Sequence, residues 1–192
     1  MQDIEIAHSK YQDIPEFTLQ GVFDYKAVRV YDGDTLYVAI YINGRVCRIN
    51  CRILQINTTE MPPSNAEAMS STHHAYAYRA RDRLVELITN VDLEKARKDA
   101  HYLYHDTIGN TLPSFSDAQL QKIIDEENTL VISRGLILEK VDNFGRYLAH
   151  IKSKDGKNVS RVLLDEELAF PFDSTIPFYD PFQECIVQDL RS

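Results

Sequence analysis

The amino-acid sequence predicts an α+β domain, mainly β, built as a small closed antiparallel barrel with helices packed against it. Three observations carry this prediction. Residues 22–56 alternate apolar and polar side chains around an Asn-Gly pair, extended patterns return at 129–138 and 147–151 after a helical stretch, and no β-α-β alternation runs along the chain, which disfavours a doubly wound parallel sheet. At 192 residues, with 44% hydrophobic and 26% charged residues, the chain has the size and composition of one globular domain, read here as 1–192.

Residues 1–21, mixed in charge and carrying Pro15, read as an N-terminal arm. From Val22 to Ile42, the residues Val28, Val30, Leu36, Val38 and Ile40 supply the alternation of strands. Asn43-Gly44 precedes the Val46 to Ile56 run and predicts a type I′ hairpin, because both central residues of that turn need positive φ. Cys47, Ile49, Cys51 and Ile53 share one parity and Leu54 and Ile56 break it, so a bulge or bend is expected near Leu54. Ser64-x-x-Glu67 is a capping box that opens a helix to about Ile88, with Ala68, Ala75, Leu84, Leu87 and Ile88 as its buried stripe.

Residues 91–128 read as an acidic helical insertion. Asp92 caps a short helix, Gly109, Asn110 and Pro113 mark a loop, and Ser116-x-x-Gln119 caps a helix carrying Leu120, Ile123 and Ile124. Strands are expected at 129–138 and 147–151, with a turn at Asp155-Gly156. Residues 159–168 read as a helix, and Asp180-Pro181 opens a last one through Leu190.

The net charge is −8, from 21 Lys plus Arg against 29 Asp plus Glu, whereas nucleic-acid binders are usually basic. The excess acid sits in 92–127 and 165–192, which leaves the rest of the chain slightly basic, and the local field governs how a polyanion approaches a cleft. Three cysteines without a Cys-x-x-Cys pair argue against a disulfide framework or a zinc site, and Cys47 and Cys51 read as small core residues. No apolar run reaches the roughly 18 residues of a membrane span and the first residues lack a secretory pattern, so an intracellular, cytoplasmic protein without membrane contact is expected.

Three segments carry side chains suited to phosphoryl chemistry. Tyr31-Asp32-Gly33-Asp34-Thr35 puts two carboxylates at a strand edge, oxygen ligands of the kind hard cations need. Arg52 through Asn57-Thr58-Thr59-Glu60 combines a guanidinium, a carboxamide and a carboxylate: Arg offers a planar fork for phosphate oxygens, and Glu can take a proton from water. Asp142-Asn-Phe-Gly-Arg146-Tyr-Leu-Ala places a second arginine between a glycine turn and an apolar strand. His101 and His105, four apart, have the spacing of a zinc pair but no third ligand, so they read as ordinary surface or core histidines. The eleven tyrosines read mainly as packing residues.

In that order and spacing, the three segments resemble the staphylococcal nuclease (thermonuclease) family over roughly Val22–Asp173. The resemblance implies a five-stranded OB-fold barrel with flanking helices and a groove suited to polynucleotides. It implies that Asp34, Asn57 and the backbone carbonyl of Thr58 bind one Ca²⁺, with Mg²⁺ or Mn²⁺ as alternatives. Glu60 would be the general base, Arg52 and Arg146 would stabilise the transition state, and Asp32 would stand behind Asp34. The reaction implied is hydrolysis of DNA or RNA to 3′-phosphate ends with little sequence preference, by a monomer.

The sequence departs from the family at several of these positions. Asn57 stands where the family has aspartate, Thr59 where it has proline, and Asn143 and Phe144 where it has Lys and Tyr. Loss of a carboxylate lowers the ligand charge that tunes hard-cation affinity. The competing expectation is therefore a catalytically impaired OB-fold of the same type, serving as a nucleic-acid or protein binding module.

Overall fold

The computed structural model describes residues 19–62, 72–98 and 115–182. In chain order the elements are β1 (Gly21–Val30), β2 (Thr35–Ile42), β3 (Arg45–Ile53), β4 (Ile56–Asn57), α1 (Thr72–Ile88), α2 (Leu93–Lys98), α3 (Asp117–Glu127), β5 (Ile132–Val141), β6 (Tyr147–Ile151), α4 (Val159–Asp165) and β7 (Phe170–Pro171). Five strands close into a barrel in the order β1-β2-β3-β6-β5, and β4 pairs with β7 in a separate ribbon. The domain is mainly β and OB-fold-like, with four helices among the described residues.

The barrel is mixed rather than antiparallel throughout. β1, β2 and β3 pair antiparallel in sequence, β5 pairs antiparallel with both β1 and β6, and the remaining seam, β3 to β6, is parallel. A ring of five strands cannot alternate direction at every seam, so the odd count imposes a parallel one. That seam places Cys51 beside Tyr147 and Arg52 beside Leu148.

Local sequence explains the local turns. Asn43 and Gly44 join β2 and β3 with φ of 49° and 84°, the positive values a type I′ hairpin needs. The parity break after Ile53 is a tight turn in which Gln55 takes φ 70°, after which Ile56 and Asn57 pair with Pro171 and Phe170. Ser116 and Gln119 form a complete capping box on α3, whose Leu120, Ile123 and Ile124 are buried. Asp92 accepts from the Lys95 N–H at 2.8 Å at the start of α2. α4 stops at Asp165, short of the expected 168, because Glu167 turns left-handed (φ 57°) and the N–H groups of Leu168 and Ala169 return to the Leu163 carbonyl.

Tyr25, Leu36, Val38, Ile40, Cys51, Ile53, Leu136 and Ile151 fill the barrel, and Ala80, Leu84 and Ile88 of α1 join the same core. Of the expected stripe of α1, Leu84, Leu87 and Ile88 are buried and Ala75 is only half-buried, and Ala77, Ala80 and Val85 are buried as well. No described helix is long and apolar enough to cross a membrane. The expected capping box at Ser64 and Glu67, with Ala68, the pair His101 and His105, the loop at 109–113 and most of the last helix lie outside the described residues.

Candidate active site

The loop from β1 to β2, the end of β3 with its following turn, and the loop from β5 to β6 meet at one mouth of the barrel. Asp32 shapes the first of these. Its Oδ1 accepts from the N–H groups of Asp34 at 2.9 Å and Thr35 at 2.6 Å, which folds the chain back and points Asp34 across the mouth. Burial pushes the Asp32 carboxyl up to about 6, reinforced by the Asp34 carboxylate and opposed by those two N–H bonds, with Glu60 adding a smaller upward push.

Gly33 serves close packing rather than turn geometry. A Cβ there would lie 2.7 Å from both Ala80 of α1 and the Thr58 methyl. Only glycine lets the first loop, α1 and the Thr58 segment come so close.

Asp34, almost fully buried, is held from four directions. Its Oδ1 accepts from the Thr35 hydroxyl at 3.1 Å and pairs with Arg52 Nη1 at 2.9 Å. Its Oδ2 accepts from the N–H and hydroxyl of Thr58, at 2.8 and 3.0 Å. Arg52 also donates to the carbonyls of Ile53 and Ile56 and to Asn57 Oδ1, which locks the guanidinium plane across the turn after β3. Arg146 comes from the loop that leads into β6, the strand paired with β3. Asp142 orders the β5–β6 loop by accepting from the N–H groups of Phe144 and Arg146 and holds Arg146 Nε at 2.9 Å, and Arg146 Nη1 then reaches the Thr35 hydroxyl at 3.3 Å. These bonds hold Asp142 below the usual carboxylate range, against the effect of its desolvation.

The structure therefore brings Asp34, Arg52, Asn57, Thr58 and Arg146 together and leaves Glu60 exposed beside them, near enough to Asp32 to act on its charge. Sequence reasoning missed Thr35, whose hydroxyl links Arg146 to Asp34, and the close packing around Gly33. The position of Thr35, directly after Asp34 at the first residue of a strand, was the available signal. No protein-family model matches this chain, and no curated protein does so at a significant level.

A divalent cation is what the resemblance implies at this mouth. The donors fit one in type: a carboxylate, a carboxamide oxygen and the Thr58 turn are all hard oxygen ligands. In charge they are sparse, since among the described residues no three His, Cys, Asp or Glu side chains are grouped to hold a metal. All four acceptor positions of Asp34 are filled and Asn57 Oδ1 faces Arg52, so a cation at these oxygens would have to displace that guanidinium.

Proposed function

We propose that this protein is a metal-dependent phosphodiesterase that hydrolyses DNA and RNA to 3′-phosphate ends with little sequence preference. The observation that carries this reading is the convergence of two fixed guanidinium groups, Arg52 from β3 and Arg146 from the β5–β6 loop, on the Asp34-Thr35 pair with Glu60 at the rim. In-line attack on a diester spreads negative charge over the equatorial phosphoryl oxygens, and donors fixed in advance stabilise that charge without reorganising. Arg52 and Arg146, carried by paired strands, can both donate to those oxygens. Glu60, exposed to solvent, takes the proton of the attacking water as its oxygen bonds to phosphorus. The 5′ P–O bond breaks, and the departing oxygen is protonated from solvent.

Asp34, Asn57 and Thr58 would hold the cation, of which Ca²⁺ is the first choice. When bound it would supply positive charge at a phosphoryl oxygen. The second reading, a binding module of the same fold, is favoured by one observation: Asn57 is neutral and its oxygen faces Arg52.

Cleavage of a fluorescent oligonucleotide with and without Ca²⁺, Mg²⁺ and Mn²⁺, with product ends identified by mass spectrometry, tests both. The expected result is cation-dependent cleavage to 3′-phosphates. Turnover should fall roughly 10²-fold or more in Arg52→Ala, Arg146→Ala and Glu60→Ala with little change in substrate binding. Unchanged turnover in all three would exclude this mechanism, and tight binding without cleavage by the native protein would put the binding module in its place.

A further inference from the structure

Two of the acceptors that hold the Arg52 guanidinium stand outside the barrel. The Ile53 carbonyl and Asp34 Oδ1 belong to β3 and to the first loop of the mouth, whereas the Ile56 carbonyl and Asn57 Oδ1 stand on β4. β4 is two residues long and pairs with β7, Ile56 opposite Pro171 and Asn57 opposite Phe170. A ribbon this short does not hold its own register, so its geometry depends on what grips its ends.

The chain from Phe170 to Pro177 is exposed throughout, and both ends of the loop it forms return to Gln55. The Gln55 carbonyl accepts from the Phe172 N–H at 2.9 Å. Its Nε2 donates to the Tyr179 carbonyl at 2.8 Å, and its Oε1 accepts from the Tyr179 N–H at 3.0 Å. The carboxamide thus answers the N–H and C=O of one residue with its own donor and acceptor, as a neighbouring strand would. Past that point the chain is fixed again, since the Tyr179 ring meets His150 edge-on with centroids 6.2 Å apart and Asp180 accepts from Asn158 Nδ2 at 3.0 Å. The backbone of Gln55 points the same way. Its φ of 70° is left-handed, a conformation that glycine adopts without strain, yet the position carries a long side chain whose two polar atoms are both used.

We propose that Gln55 is a positioning residue for Arg52: by closing the 172–179 loop at both ends it keeps β7 on β4, and so keeps the Ile56 carbonyl and the Asn57 oxygen where they hold the guanidinium. As a contribution to turnover this rests on the nuclease reading; as an account of how Arg52 is held it does not. Without the Gln55 carboxamide the loop keeps its Phe172 bond but loses its return at Tyr179, and the ribbon must hold alone. Arg52 then keeps Asp34 and the Ile53 carbonyl and turns about them. The charge at the mouth does not change, so substrate still binds. What is lost is a donor fixed in advance at the equatorial oxygens, and that loss falls on the transition state.

The experiment compares the native protein with Gln55→Gly, which relaxes the left-handed backbone while removing the carboxamide, and with the milder Gln55→Asn, which tolerates that backbone but is one methylene too short to span Tyr179. A guanidinium held on several sides rotates slowly. In nitrogen-15 NMR spectra the Nη–H signals of Arg52, assigned by their loss in Arg52→Lys, should therefore be resolved in the native protein and averaged in both variants. In Ca²⁺ with a fluorescent oligonucleotide, kcat should fall about tenfold or more while KM stays within about twofold. Thr175→Ala, which loosens the Asp173 turn inside the loop and touches neither end, should leave both readouts native. Native Arg52 signals in both Gln55 variants would overturn the proposal, as would averaged signals with kcat unchanged, an effect on KM alone, or equal losses in Thr175→Ala. A native protein that cleaves nothing would refute the nuclease reading, and the Arg52 signals would then decide by themselves whether Gln55 holds the guanidinium.

Discussion

Two arginine–aspartate clusters lie within this domain, and they differ in what remains available once each is assembled. Arg81 of α1 has no exposed side-chain surface. Its guanidinium is spent on Asp82, Asp117 and the Phe115 carbonyl, while Arg97 of α2 pairs with the other oxygen of Asp82. That cluster ties α1, α2 and the start of α3 together. Arg52 and Arg146 at the barrel mouth keep 13% and 25% of their side-chain surface, are held by backbone carbonyls and neighbouring carboxylates, and face a site that opens to solvent. A sealed pair fixes elements in place, whereas an ordered pair at a rim holds charge ready for something that arrives. The ion pairs at the mouth are few enough for a ligand to rearrange.

The widest separation between the two clusters should appear in stability. Arg81→Ala removes a fully buried side chain, leaves the Phe115 carbonyl without its donor and Asp82 with Arg97 alone, and should cost about 2–5 kcal/mol, while Arg52→Ala leaves Asp34 with three hydrogen bonds and should cost about 1–2 kcal/mol. Urea unfolding of the two variants measures this directly, and equal losses would erase the distinction. Gly33→Ala comes next. The added methyl must push aside Thr58 or Ala80, so about 1–3 kcal/mol of destabilisation is expected, together with a loosened Asp34, since Thr58 holds its Oδ2 twice. The same unfolding curves check the first effect, and a crystal structure of the variant checks the second.

The difference between the clusters also decided what could be read from the sequence. Devices that act within a few residues were legible: the Asn43-Gly44 hairpin, the Ser116 capping box, and the Asp142-to-Arg146 loop with its glycine. The mouth segments were legible because each packs several polar residues into a short stretch. Arg81 was not, because its partner Asp117 lies 36 residues on and an arginine beside an aspartate on a helix looks like any solvated face. The demand for glycine at 33 was not legible because the contacts that impose it come from Ala80 and Thr58, both distant in sequence. The two-residue ribbon of β4 and β7 has too few positions to show a period. The parallel seam follows from closing five strands, which no local pattern records.

A smaller effect sharpens the contrast at Asn57. A carboxylate there would stand against Arg52 and beside Asp34, restoring the negative charge that the cation donors lack. Asn57→Asp should therefore tighten Ca²⁺ binding on the order of tenfold and move the cation dependence of cleavage to lower concentrations. Calorimetric titration of both proteins decides it: equal affinities would remove Asn57, and with it the main support for Asp34, from the cation site.

The smallest expected effect is a pH slope at the mouth. Asp32 is buried behind Asp34 and its carboxyl is raised from the usual 3.8 to about 6, chiefly by desolvation and next by the neighbouring carboxylate. Between these two values the folded protein keeps a proton that the unfolded chain has released. The group's contribution to stability is therefore complete below about pH 4 and is lost as pH rises through 6, at up to roughly 1.4 kcal/mol per pH unit where the two states differ by a full proton. Asp32→Asn keeps an oxygen for the N–H groups of Asp34 and Thr35 and cannot titrate, so its urea midpoint should lack this decline. The test is a set of unfolding curves for both proteins from pH 4 to 7. Native and variant stabilities that run parallel over that range would mean that Asp32 is ionised throughout, and that the mouth tolerates Asp32 and Asp34 charged side by side without the help of a cation.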